Sequence, residues 1–249
     1  MVALELAKHN GLIAYPNPSA TETCSREKEA EKLGILRLIE AGSEQVQGHS
    51  ILGKGYCGLV MKAEWQNKER KALPVALKAR RLDAPKSDLN AEALALALVN
   101  QILIGPTLYA HSDNFIVMEY IDGPSILRWL QDEHSVNEVN GVIQNILLQA
   151  FQLDQLGLDH GNLRCVTEHI LFRGNDPILI DYSSCSFERR AANVTTLTQG
   201  LFFGTIIPSL IAKHRPLPTK DTLIPLLRAY KQNSSPKTFD QLLTQIMQS

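Results

Sequence analysis

The sequence predicts an α+β protein in two parts, a strand-rich part followed by a mostly helical one. Three observations carry that prediction. Leu59, Met61, Ala63 and Trp65 alternate with Val60, Lys62, Glu64 and Gln66, the period-two signature of a half-buried strand. From Glu138 to Leu156, Val139, Val142–Ile143, Ile146–Leu147 and Ala150–Phe151 recur at the i, i+3, i+4 spacing of a helix with one core-facing stripe. Between these two patterns Asp122-Gly123-Pro124 breaks the chain and marks the boundary of the parts.

The elements follow in order. The first 20 residues, with Pro16, Pro18 and Ser19, read as an irregular leader, and Glu27 to Ala41 as a short helix with Leu33, Leu36 and Leu38–Ile39 on one face and Gly42 as its stop. Strands begin after Gln47. Leu73 to Ala79 is a strand, reached through a Lys/Arg-rich turn, and Ser87 to Gln101 is an Ala/Leu-rich helix with Ser87 and Asp88 as capping candidates. Thr107 to His111 and Asn114 to Ile121 are strands joined by a Ser-Asp-Asn turn. Past the break come a short helix (Ser125 to Asp132), the long helix, a loop, two strands (His169 to Arg173 and Ile178 to Ile180), and helices with joints at Pro216, Pro218 and Pro236. The expected organisation is therefore a leader and helix over 1–46, a strand-rich lobe over 47–122 and a helical lobe over 123–249.

Composition sets outer bounds. Apolar residues make up 44% and charged residues 20% of the 249, an ordinary globular balance with ample chain for a core. A net charge of −1 gives no electrostatic reason to expect nucleic acid or an anionic membrane as partner. Cys24, Cys57, Cys165 and Cys185 form no C-x-x-C pair or metal-finger spacing, and Glu5 and Lys8 interrupt any secretory apolar run, so reduced thiols in a cytoplasm are expected. The most apolar stretch, Leu201 to Ala212, is too short to cross a bilayer.

Gly53-Lys54-Gly55-Tyr56-Cys57-Gly58 matches G-x-G-x-x-G. A dinucleotide-binding fold would follow the last glycine with a helix. Here a strand starts at Leu59, so the glycines sit in a hairpin whose backbone can close over phosphates; a plain turn would look the same. Val75-Ala76-Leu77-Lys78 ends the next strand. Glu92, the only acidic residue between Asp88 and Asp113, lies on an otherwise apolar helix and needs a partner or a solvated face; Lys78 is the natural one. Further on come His160-Gly161-Asn162-Leu163, then Glu168-His169-Ile170-Leu171-Phe172, then Ile178-Leu179-Ile180-Asp181-Tyr182-Ser183.

In this order the motifs resemble the protein-kinase-like superfamily over about residues 47 to 200. Arg189 or Arg190 followed by Asn193-Val194-Thr195 and Gln199 is similar to the small archaeal-type predicted Ser/Thr kinases, distant relatives of the RIO and lipopolysaccharide kinases. The resemblance implies a two-lobe fold with a five-stranded N-lobe and a reduced helical C-lobe. It implies ATP and Mg²⁺ or Mn²⁺ as ligands and a protein substrate or signalling partner. Gly53, Lys54, Gly55, Tyr56, Cys57, Gly58, Val60, Ala76 and Lys78 would line the nucleotide site, with Glu92 orienting Lys78. Phe115 to Gly123 looks like the adenine-holding strand and hinge, with Met118 at the gatekeeper place and the Glu119 carbonyl and Ile121 backbone on the base. His160 and Asn162 would belong to the catalytic loop, and Asp181 and His169 to the metal.

Three features depart from the family's pattern. Asn162, an amide, stands where a catalytic aspartate is usual, and His169 takes the place of the metal-binding asparagine two residues late. There is no Ala-Pro-Glu segment, and only 68 residues follow Asp181. A pseudokinase, binding nucleotide to signal by shape, and a small-molecule kinase are therefore the rival expectations. Cys57, Cys165 and Cys185 would also fall around one nucleotide site, which suggests redox control through a disulfide or three unrelated small residues.

Overall fold

A computed structural model of the chain describes residues 10–248, so the expectations resting on Glu5 and Lys8 lie outside the described residues. The chain forms two compact units, one of residues up to Asn100 with Pro106–Ile121, the other of Gln101–Gly105 with residues from Asp122 onward. The fold is α+β, with a mostly antiparallel sheet and ten helices among the described residues. None of those helices is long and apolar enough to cross a membrane.

The first unit is built on the predicted period-two strand. The elements are α1 (Asn10–Ile13), α2 (Ala20–Lys32), β1 (Ile35–Ile39), β2 (Glu44–Val46), β3 (His49–Ile51), β4 (Gly53–Lys54), β5 (Gly58–Gln66), β6 (Ala72–Arg80), α3 (Asn90–Asn100), β7 (Leu108–His111) and β8 (Phe115–Glu119). The main sheet runs β1-β5-β6-β8-β7, with β4 also pairing β5, and every pairing is antiparallel. Register puts alternate residues on opposite faces. Leu59, Met61, Ala63, Val75, Leu77, Ala79, Phe115 and Val117 are buried together on one face, packed with Leu12, Ile13, Ala30, Ile35 and Leu38. The opposite face carries Val60 beside Lys78 beside Ile116, and on the next rung Lys62, Ala76 and Met118.

Three expectations fail in this unit. The helix over Glu27 to Ala41 is instead α2, begun by a Ser19–Glu22 capping box and ended at Leu33, followed by strand β1. Gly34 makes the corner at φ +90°, where a Cβ would meet the Gln66 carbonyl oxygen at 2.7 Å. The apolar residues taken for a helix stripe serve β1, whose Ile35 and Leu38 are buried. The sheet consequently has six strands rather than five, and the segment taken for an irregular leader contains α1, which covers one of its faces together with α2. Arg26, 4% exposed, donates to the Ile13 and Arg80 carbonyls at 3.2 and 2.6 Å and ties α2 to that face.

The second unit contains α4 (Ile126–Trp129), α5 (Val136–Gln155), α6 (Val166–His169), β9 (Ile170–Arg173), β10 (Asp176–Leu179), α7 (Asn193–Phe202), α8 (Ile206–Ile211), α9 (Lys220–Gln232) and α10 (Pro236–Met247). The long helix α5 is its centre. Val139, Val142, Ile143, Ile146, Leu147, Ala150 and Leu153 are buried along the predicted stripe, and Phe151 stacks on Phe239 of α10. β9 and β10 pair as an antiparallel ribbon. His169, expected to open a strand, closes the short helix α6.

Candidate functional site

In the first unit, β4 and β5 form the glycine-bearing hairpin, with Gly53 opposite Val60 and Lys54 opposite Leu59. The Gly55 N–H donates to the Gly58 carbonyl at 2.9 Å, and Tyr56 at the tip is 78% exposed. The glycines differ in what the fold demands of them. A Cβ at Gly58 would lie 2.8 Å from the Ala79 carbonyl oxygen, so β5 and β6 approach there only because Gly58 has none. A Cβ at Gly53 or Gly55 would meet nothing closer than 3.5 Å, so chain packing does not account for either. Lys54 donates to the Tyr15 hydroxyl at 3.1 Å, and Arg81 lies over the same ring and donates to the Gly55 carbonyl at 3.3 Å. The N-terminal segment thus holds the hairpin from one side.

Gly58, Val60, Ala76, Lys78 and Met118 lie on the sheet face opposite the apolar core. Lys78 donates to the Glu92 carboxylate at 2.6 Å, with both side chains less than 8% exposed. Glu92 is in the first turn of α3, where the helix dipole favours an anion. Glu119 and Ile121 lie at the end of β8 and just beyond it. The Glu119 carboxylate accepts from the Thr107 N–H and hydroxyl at 3.0 and 3.1 Å, and Ile121 is buried.

The second unit brings His160, Asn162 and Asp181 onto two loops that are laced together. The His160 N–H donates to the Asn193 Oδ1 at 2.9 Å, and Asn193 Nδ2 donates to Asp154 and to the Leu158 carbonyl. Asp154 also accepts from the Asn193 and Val194 N–H groups and from the Tyr230 hydroxyl. Burial pushes its carboxyl above the usual range, while these donors act in the opposite direction. His160 Nε2 lies 3.1 Å from the Ile180 carbonyl, and since a carbonyl only accepts, the proton is on Nε2. Burial, and then the neighbouring His169, push the His160 imidazole down to about 4, so it is neutral near pH 7.

Asp181 follows Ile180 at φ +65°, a left-handed conformation uncommon outside glycine, and its carboxylate accepts from the Ser183 N–H at 3.3 Å. Asn162 Nδ2 donates to the Ser184 Oγ at 2.9 Å. Asp159 and Ser186 exchange two backbone hydrogen bonds, and Arg189 links Asp159, at 2.7 Å, to the Ser184 carbonyl. His169 is 5% exposed, with its ring edge-on to that of His160 at 5.5 Å. Among the described residues no group of three His, Cys, Asp or Glu side chains is gathered as a resident metal cage. An ion carried in by a polyphosphate needs only one or two protein carboxylates beside phosphate oxygens and water, and Asp181 suits that role.

Sequence reasoning gave no role to Asp154 or Ser184 and quoted Asn193 only as part of a resemblance, without a partner. A signal did exist for the first: Asp154 is a carboxylate in the last turn of α5, where the helix dipole disfavours it unless donors are at hand. Among the described residues no disulfide joins the four cysteines; Cys57 is buried, Cys185 half-buried and Cys165 exposed.

No model of a known protein family matches the chain. No curated protein matches it either.

Proposed function

We propose that the chain is an ATP-dependent phosphotransferase of the protein-kinase-like kind, acting on Ser or Thr hydroxyls of a protein. Its first unit would be the strand-rich lobe and its second the reduced helical lobe. The buried Lys78–Glu92 pair at 2.6 Å carries this reading. Removing two charges from water is costly, and an apolar pair would stabilise the sheet at least as well. A lysine held in that way on the strand behind a glycine hairpin suits one task, presenting a fixed cation to phosphate oxygens. Gly53 and Gly55, unexplained by packing, then leave the hairpin backbone bare for the same phosphates.

The remaining roles follow the resemblance. Lys54, Tyr56, Cys57 and Val60 would flank the nucleotide, Ala76 and Met118 would line the base, and the Glu119 carbonyl and Ile121 backbone would hydrogen-bond it. Asp181 would hold a divalent ion, which when bound neutralises phosphate charge. His160 fixes the loop that bears Asn162 by donating to the Ile180 carbonyl beside Asp181. Asn162 would position the acceptor hydroxyl without accepting its proton. Phosphoryl transfer depends mostly on positioning and electrostatics, so an amide at this place slows turnover without abolishing it.

A pseudokinase is the second reading, favoured by Asn162 itself. Turnover of labelled ATP separates the two. General-base assistance is worth about 10²–10⁴ in rate, so Asn162→Asp should raise turnover by about 10²-fold or more. Imidazole suits Mn²⁺ better than Mg²⁺; if His169 is a ligand, His169→Asn moves the metal preference toward Mg²⁺, and an unchanged preference leaves it a packing residue. No turnover by any variant in either metal overturns the phosphotransferase and leaves the binding module.

A further inference from the structure

We propose that Ser184 is an acceptor of this chain's own phosphoryl transfer, modified within the same molecule. The inference rests on the phosphotransferase reading, in which Asn162 positions the acceptor hydroxyl. Asn162 already holds one: its Nδ2 donates to the Ser184 Oγ at 2.9 Å. That hydroxyl is half-buried and lies three residues past Asp181, in a tight turn closed by the Cys185 N–H on the Tyr182 carbonyl at 3.1 Å.

The opposing loop is shaped for this approach. Gly161 has φ +88°, and a Cβ there would lie 2.6 Å from the Ser184 carbonyl oxygen and 3.0 Å from the Ser184 Cβ. Any side chain at 161 would push Ser184 away from Asn162. The two loops are also fixed to one another by the Asp159–Ser186 backbone pair and by Arg189, so the contact is not a chance rotamer on a loose segment.

The chemistry balances with ATP as donor. The Ser184 Oγ uses one lone pair to accept from Asn162 and keeps another for attack on the γ-phosphorus. The bond from that phosphorus to the β–γ bridging oxygen breaks, ADP leaves with the electron pair, and the hydroxyl proton passes to solvent because an amide cannot take it. In a loose transition state the nucleophile loses its proton late, so positioning does most of the work. The product gains a dianionic group beside the Arg189 guanidinium, which already donates to the Ser184 carbonyl.

The test is phosphopeptide mapping of the full chain incubated with ATP and Mg²⁺ or Mn²⁺, over a dilution series, with ATP binding and ATP turnover measured in parallel. The expected result is label on Ser184, acquired at a rate independent of protein concentration. It should be absent from Ser184→Ala and kept in Ser183→Ala and Ser184→Thr. ATP turnover with no label on Ser184, or a labelling rate that rises with concentration, overturns the inference and leaves the phosphotransferase standing. Absence of turnover in either metal, with or without ATP binding, removes both.

A measurement without nucleotide checks the product's environment. Arg189→Gln should lower the melting temperature more in a Ser184→Glu background than in the wild type. Equal effects in the two backgrounds would take Arg189 out of the proposal.

Discussion

A buried imidazole whose only hydrogen-bond partner among the described residues is a carbonyl has no use for a second proton, and His160 is in that position. Its folded-state value of about 4 lies below the ordinary 6.5 of an unfolded chain. Between those values the unfolded chain binds a proton that the folded one does not. The contribution is therefore full above pH 6.5 and is lost as pH falls toward 4. The shift corresponds to about 3 kcal/mol. Urea unfolding at pH 7 and pH 4.5 should show this loss in the wild type, and His160→Gln, which keeps a donor for the Ile180 carbonyl, should show a smaller one. An equal pH dependence in both proteins would assign the acid sensitivity to other groups. The same scale explains what the sequence could and could not reveal. Glu92 was legible as the partner of Lys78 because an isolated carboxylate on an Ala/Leu helix needs a counter-charge. Asn193 was not, since an amide holding a loop 33 residues away in sequence leaves no local pattern.

Among the elements, the glycine hairpin separates folding from function most cleanly. Gly58→Ala forces a Cβ to 2.8 Å from the Ala79 carbonyl oxygen and should destabilise the chain by about 1–3 kcal/mol. Gly53→Ala meets open space and Gly55→Ala an ordinary contact with the Gly58 carbonyl oxygen at 3.5 Å, neither at a positive φ, so they should leave stability unchanged or raise it by about 0.4–1 kcal/mol through the unfolded state. If the hairpin closes over phosphates, Gly55→Ala nonetheless weakens ATP binding. Denaturation and calorimetry on the three variants check this, and equal losses of stability would refute the packing account of Gly58. Elements with an unambiguous period, such as β5 and α5, were legible to within a few residues. The strand β1 was not. Leu33, Leu36 and Leu38–Ile39 satisfy a helical stripe equally well, and the choice is made by pairing with Lys62–Trp65 and by the Gly34 corner.

For the whole molecule, the sequence conveyed the α+β class; the structure divides the chain into two units, the second resuming at Asp122 after Ile121. It did not reveal that the N-terminal helices cover one face of the first unit's sheet, because Leu12, Ile13 and Ala30 are too few and too scattered to show a period. Covering that face leaves the other, with Gly58, Val60, Ala76, Lys78 and Met118, as the side on which a nucleotide would be held. Lys78→Met alone is a poor test, since it strands a buried Glu92 and costs about 3–5 kcal/mol of stability. Lys78→Met/Glu92→Met removes both charges at similar volume and should stay folded. The decisive measurement is calorimetric titration of ATP, with Mg²⁺ and with Mn²⁺, into the wild type and this double variant, with their melting temperatures recorded alongside. A charged hydrogen bond is worth about 1.5–3 kcal/mol, so the account predicts one ATP per wild-type chain and about 10- to 100-fold weaker binding to a folded double variant. Equal affinity in the two folded proteins, or no ATP binding by the wild type in either metal, would contradict it.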